Sequence, residues 1–164
     1  MAPISFARGA PALDCLDPDL VSEAASKVLA RDGRTILAYG TGGGYGPLRE
    51  LLGERHGVPA SRVYVTVGGL GGFSHYAASQ LAARPGRVLV EAPTYDRPLK
   101  LLGWLGAELV PLPMDEEGLD PDAVEAELDR GGDVSFLYTI PTFQNPSGRS
   151  IGAARRERLA ALAA

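Results

Sequence analysis

From residue 87 onward one alternation repeats three times: an apolar run, then an amphipathic stretch, then the next apolar run. "RVLVEAP" leads into "TYDRPLKLLGWLG", "AELVPLPM" into "DPDAVEAELDRGG", and "VSFLYTIP" into "AARRERLAALAA". Strands that are apolar almost without interruption need cover on both faces, and the intervening helices supply it. The pattern constrains the chain to an α/β fold, a mostly parallel sheet between two helical layers.

Local signals set the expected element ends. In "DPDLVSEAASKVLARDG", Asp17 is an N-cap and Pro18 takes the first helical position. Val21, Ala24, Val28 and Leu29 share one face of that helix, and Gly33 is read as lying past its end. Residues 1–16 carry no period and read as an extended arm. A glycine-rich loop, "YGTGGGYG", precedes "PLRELLGERHG", a helix closed by Gly57. "SRVYVTVGG" reads as a short strand entering a loop with Gly68, Gly69, Gly71 and Gly72, and a helix is expected from Phe73 to Ala83, ahead of Pro85-Gly86. Pro98 falls in the first turn of its helix and Pro121 at the first position of another, where a missing N–H costs nothing. Trp104 and the leucines around it read as a core face. The expected organisation is an arm and helix over 1–38, then α/β structure over 39–164.

Composition excludes several classes of function. A net charge of -4 without a run of five like charges argues against binding to nucleic acid or to a membrane surface. Cys15 is the only cysteine, so no internal disulfide and no Cys/His metal cluster is expected. The first residues lack a basic segment followed by an apolar core, and no apolar run approaches the roughly 20 residues that cross a bilayer. The expected setting is cytoplasmic.

In open α/β sheets ligands sit beyond the carboxyl ends of the strands, so three polar turns draw the search for a site: "GGLGG", "APTY" and "TFQNPSG". The first offers backbone N–H groups at a helix start, a seat for phosphate, yet it matches neither the P-loop nor the G-x-G-x-x-G pattern; a plain turn accounts for it equally. Tyr95 could lay its ring on a planar heterocycle or could simply pack. Asn145, preceding Pro146, is biased to extended geometry that turns its amide toward the crevice, or it makes an Asx turn. His56 reads as a helix C-terminal residue. His75 beside Ser74 lacks the partners of a hydrolase triad, and Glu116 with Glu117 lies in a solvated turn.

Taken in order, "YGTGGGYGPLRELL", "VTVGG", "VEAPTY" and "YTIPTFQNPSG" followed by "RRERL" resemble the class I/II aminotransferases of fold type I, which depend on pyridoxal 5'-phosphate (PLP). Within them the chain is similar to aminoadipate-type transaminases and the catalytic domains of MocR-like regulators, whose opening "ISFARGAP" it shares. The resemblance implies a PLP-dependent transaminase acting on an amino acid and a 2-oxo acid. It implies that the backbone of Gly69 and Leu70 holds the cofactor phosphate, that Tyr95 stacks on the pyridine and that Asn145 hydrogen-bonds the phenolic oxygen. Tyr39 matches a residue reaching the phosphate of a neighbouring subunit, which implies a homodimer. Two departures accompany it. Gly69-Leu70 replaces a common Ser-Gln pair, which implies weaker cofactor retention. The Schiff-base lysine, the acidic partner of the pyridine nitrogen and the substrate arginine fall, in the family, beyond the Asn-Pro-Ser/Thr-Gly turn, and neither Lys27 nor Lys100 matches that lysine's motif. The chain is therefore expected to be the N-terminal part of such an enzyme, without a catalytic residue of its own. The alternative is a non-catalytic remnant or a partner subunit of a full-length relative.

Overall fold

The structure, a computed structural model, describes residues 11–164, so most of the expected arm, including nearly all of "ISFARGAP", lies outside the described residues. The chain divides into two compact units between Val65 and Thr66.

In the first unit a single 3-10 turn, Leu13–Cys15, precedes α1 (Pro18–Ile36). The Asp17 side chain accepts from the Leu20 N–H at 2.9 Å, as its position predicts. The helix does not stop at Gly33. It continues for another turn, because a single helical glycine costs only about 1 kcal/mol and Arg34-Thr35-Ile36 carry no breaker. None of its residues is buried. In α2 (Gly46–His56) the terminator works as expected, with Gly57 in the left-handed region at φ 65° and His56 as the last helical residue. Arg49 then ties the following chain to the helix, donating from its guanidinium to the carbonyls of Val63 and Ala60, each at 2.8 Å.

The stretch "RVYVTV" is not a strand among the described residues. It is extended, and the Val65 N–H reaches the Gly43 carbonyl at 3.0 Å, but a strand needs a ladder and this segment finds no partner for one. Its β-branched residues signal extended backbone correctly and pairing wrongly.

The second unit holds the sheet. Its first element, α3 (Gly68–Ala83), starts five residues earlier than expected and incorporates the glycines into its opening turns. There follow β1 (Arg87–Ala92), α4 (Asp96–Trp104), β2 (Leu109–Asp115), β3 (Gly118–Leu119), α5 (Pro121–Asp129), β4 (Val134–Tyr138) and α6 (Ala153–Leu162). The strand order is β3-β2-β1-β4. β1 runs parallel to both β2 and β4, with Leu89 opposite Val110 on one side and Leu137 on the other. Only the two-residue β3 is antiparallel, set by the turn at Glu116 and Glu117. At the start of β1, a Cβ on Gly86 would meet the Asp133 carbonyl oxygen at 2.6 Å, so only glycine lets these two chains approach.

Alternation along β1 divides the core. Val88 and Val90 face Ala77 of α3 and Leu102 of α4, while Leu89 packs with Leu112, Leu119, Val124 and Ile151, which α5 and α6 cover. The result is the expected three layers. Trp104 does not share that core: it is 87% exposed. It lies two residues beyond buried Leu102, about 200° around the helix axis, so the leucines point inward and the indole outward. β2 carries Pro111 and Pro113 within the sheet. The Val88 N–H donates to the Glu108 carbonyl at 2.8 Å, so the residues of even number in β2 turn toward β1 and those two prolines turn away from it.

Candidate functional site

The aromatic contacts orient α3 on the sheet. Phe73, near the start of the helix, packs on Tyr138 at 5.1 Å between ring centroids; Tyr76, a turn later, packs on Phe136 at 5.8 Å. The helix therefore runs opposite to β4, and its N-terminus lies at the carboxyl edge of the sheet. The same edge carries the turn after β1, with Tyr95, and the turn after β4, with Asn145. The three turns singled out in the sequence occupy one edge of one unit.

Gly69 and Leu70 occupy the second and third positions of α3, whose N–H groups have no carbonyl four residues back within the helix. Val67, in the capping position, gives no side-chain bond to them. The Gly68 N–H is already engaged by the Thr66 carbonyl at 2.9 Å. What remains is a pair of donors, without a partner among the described residues, at the positive end of a 16-residue helix, the donor set that an anion such as a phosphate monoester requires. Among the described residues, nothing beyond the helix's own first turn and the chain neighbours lies within 4 Å of a Cβ built on Gly69, so a side chain fits at that position.

Tyr95 precedes α4 at its N-cap position, 39% exposed. Asn145 is exposed, and among the described residues its amide has no hydrogen-bond partner. The nearby Tyr138 phenol is pushed above its ordinary range by burial first, then by the Glu91 carboxyl and by Tyr95. An aromatic face, an unengaged amide and two free backbone donors thus share the edge, a set suited to a flat heterocycle bearing a phosphate. Tyr39 belongs to the first unit and is fully exposed. Lys27 and Lys100 stand on none of these turns; each makes an exposed helical pair, with Glu23 and Asp96 respectively.

Two residues not singled out in the sequence hold this edge together. Glu91 and Gln144 are each only 2% exposed. Glu91 accepts from the Thr139 hydroxyl at 2.5 Å, the Ile140 N–H at 3.2 Å and the Gln144 side-chain amide at 3.1 Å. Gln144 also donates to the Pro93 carbonyl at 2.8 Å and accepts from the Ser147 N–H at 2.9 Å. A glutamate in an otherwise apolar strand is the signal that could have found the pair, because a buried carboxyl demands donors.

A groove of about 520 Å³ lies elsewhere, along β4, lined in part by Leu89, Val124, Ser135, Leu137 and Leu159. The Ser135 hydroxyl is buried there without a hydrogen-bond partner among the described residues. None of Gly69, Leu70, Tyr95 and Asn145 lines it.

A three-layer α/β unit with polar turns gathered at the carboxyl edge of a parallel sheet has the layout in which open α/β proteins place their ligands. The family model for aspartate amino-transferase matches residues 3–164, and the chain belongs to that family. It is 35% identical to aromatic-amino-acid aminotransferase 1 of Thermococcus litoralis, over 98% of this chain and 40% of the relative. It is also 35% identical to 2-aminoadipate transaminase of Thermus thermophilus, over 95% of this chain and 39% of that one. Among solved structures, α-aminoadipate aminotransferase of Thermus thermophilus, complexed with N-(5'-phosphopyridoxyl)-L-leucine, superposes with a TM-score of 0.84 at 35% identity, covering 94% of this chain and 39% of that one. The fold is that of the fold type I aminotransferases, and the chain spans about two fifths of the length of these relatives.

Proposed function

We propose that this chain forms the N-terminal part of a PLP-dependent aminotransferase that moves an amino group from an amino acid to a 2-oxo acid. The observation that carries this reading is the convergence of the α3 N-terminus, Tyr95 and Asn145 on one sheet edge, in a chain of the aspartate amino-transferase family. The cofactor, when bound, supplies an aldehyde that takes up an amino group and a ring that withdraws electrons from the bonds around it.

The chain's own residues bind and orient. The Gly69 and Leu70 amides hold the phosphate and fix one end of the ligand. Tyr95 covers a face of the ring and keeps water from it. Asn145 donates its amide to the phenolic oxygen and sets the rotation of the ring in its plane. Residues 39–164 form part of the cofactor-binding domain, with 1–38 as arm and helix. Tyr39 serves the phosphate of a second subunit in a homodimer, a role that its complete exposure supports. The setting is cytoplasmic amino-acid metabolism. Among the described residues, no helix is long and apolar enough to cross a membrane.

Equilibrium dialysis of the full 164-residue chain against PLP tests the reading. Saturable binding that weakens in both Tyr95→Ala and Asn145→Ala is the expected result. Absence of saturable binding, or binding indifferent to both substitutions, overturns it.

A further inference from the structure

The turn after β1 and the turn after β4 are separate in sequence, and the strands preceding them pair only as far as Val90 and Tyr138. Beyond that register no backbone ladder fixes the distance between Tyr95 and Asn145. Side chains fix it instead. Glu91 sits at the end of β1 and takes three donors from the far turn: the Thr139 hydroxyl, the Ile140 N–H and the Gln144 amide. The Ile140 N–H is shared between both carboxyl oxygens, at 3.2 Å each. Thr94, from its own turn, reaches the second oxygen at 3.5 Å. Gln144 closes the loop by donating to Pro93, two residues before Tyr95, while its own oxygen holds the Ser147 N–H, two residues past Asn145.

We propose that Glu91 and Gln144 are positioning residues that set the spacing of the Tyr95 ring and the Asn145 amide, and through it the affinity for a phosphorylated planar heterocycle. The inference rests on the proposed cofactor site. Neither residue touches the ligand in this scheme. Glu91 acts through the turn that carries Asn145, and Gln144 joins that turn to the one carrying Tyr95. The Thr139 and Thr94 hydroxyls can accept as well as donate, but the Ile140 N–H lies 3.2 Å from both carboxyl oxygens, so an amide nitrogen at position 91 confronts that N–H whichever way it is rotated. A Glu91→Gln substitution keeps the volume and breaks the clamp.

Two measurements on the full chain test this. Hydrogen exchange without ligand should quicken in Glu91→Gln at both turns together, residues 92–96 and 139–148. The dissociation constant for PLP should rise about tenfold in Glu91→Gln, the size expected when a buried polar pairing is broken. In an Asn145→Ala background the same change should add less than about twofold, since its effect passes through Asn145. Thr139→Ser, which keeps the hydroxyl, should behave as the parent; Thr139→Val should move in the direction of Glu91→Gln. Faster exchange confined to one turn overturns the proposal, as does a loss of PLP affinity that is equal with and without Asn145. If the parent chain shows no saturable PLP binding, the cofactor reading falls, and the exchange experiment alone decides whether Glu91 couples the turns.

Discussion

The turn that opens α3 and the turn that follows β4 meet the same sheet edge and are built on opposite plans. The first is nearly bare: among the described residues its side-chain bond is one from Thr66 to the Gly68 carbonyl at 3.0 Å, and it leaves backbone donors unengaged. The second saturates itself. Gln144 N–H bonds the Arg149 carbonyl at 2.7 Å, Ile151 N–H the Pro141 carbonyl at 2.9 Å, and Phe143 N–H the Ser150 hydroxyl at 2.9 Å. Arg156 adds bonds to the Pro141 carbonyl and the Thr142 hydroxyl, and Phe143 is held at φ 49°, in the left-handed region unfavourable to a bulky side chain. The difference teaches how a site divides its labour. Under the proposed function, the turn that would give its backbone to a ligand keeps its donors free, whereas the turn that would aim one side chain uses its backbone for rigidity and leaves that side chain, Asn145, unengaged.

The comparison breaks most readily at Glu91. Glu91→Ala removes the acceptor of three donors, and a loss of about 3 kcal/mol in urea-unfolding stability is expected from leaving them buried and unpaired. A loss below about 1 kcal/mol would mean that the saturated turn owes its rigidity to its backbone alone. The bare turn can instead be enriched. Gly69→Ser with Leu70→Gln supplies side-chain donors to the phosphate, and about tenfold tighter PLP binding is expected, since one added charge-assisted bond is worth at least that. Because the space beside Gly69 is open, the unfolding midpoint should not change. Equal affinity would mean that backbone donors already satisfy the anion. Thr66→Val deletes the side-chain bond of the bare turn, at an exposed position, and should cost only about 0.5 kcal/mol by thermal unfolding.

The last test concerns Tyr138, beneath both turns. Its phenol titrates above the ordinary value of 10.0 because burial disfavours the phenolate. A raised folded-state value means that the associated stability is fully present below about pH 10 and is lost as pH rises through the folded-state value. Tyr138→Phe should flatten that alkaline decline in a denaturation series; an identical decline would place its cause elsewhere.

Much of this was legible in the sequence because it depends on near neighbours. The cap at Asp17, the early prolines of α4 and α5, and the glycine closing α2 each act within a few residues, and the apolar runs of β1, β2 and β4 need no partner to be recognised. What was missed depends on distance along the chain. Glu91 looks like an interruption in "RVLVEAP" until its partners, 48 to 53 residues later, are known. Gln144 is one more polar residue in a polar turn until Pro93 and Glu91 lie beside it. "RVYVTV" has the composition of a strand, but a ladder is a property of two segments. The two-residue β3 is too short to leave a period. Trp104 was misread because the apolar character of the stretch hides its phase: the indole lies about 200° around the helix axis from buried Leu102. At the site, Tyr95 and Asn145 follow strands that the sequence reveals, so their place at one edge was legible; Gly69 and Leu70 were placed there through a strand that does not form, and the Glu91 and Gln144 bonds between the other two turns were not legible at all.

Pro111 and Pro113 give the sheet a polarity in its capacity for growth. Both face away from β1, and neither has an N–H to offer, so the outer side of β2 lacks two of the donors that an incoming strand would need. β3 pairs with the end of that margin, opposite Met114 and Asp115. That margin is a poor template for edge-to-edge stacking into fibrils, and recruitment of further backbone is directed to the opposite margin, at β4.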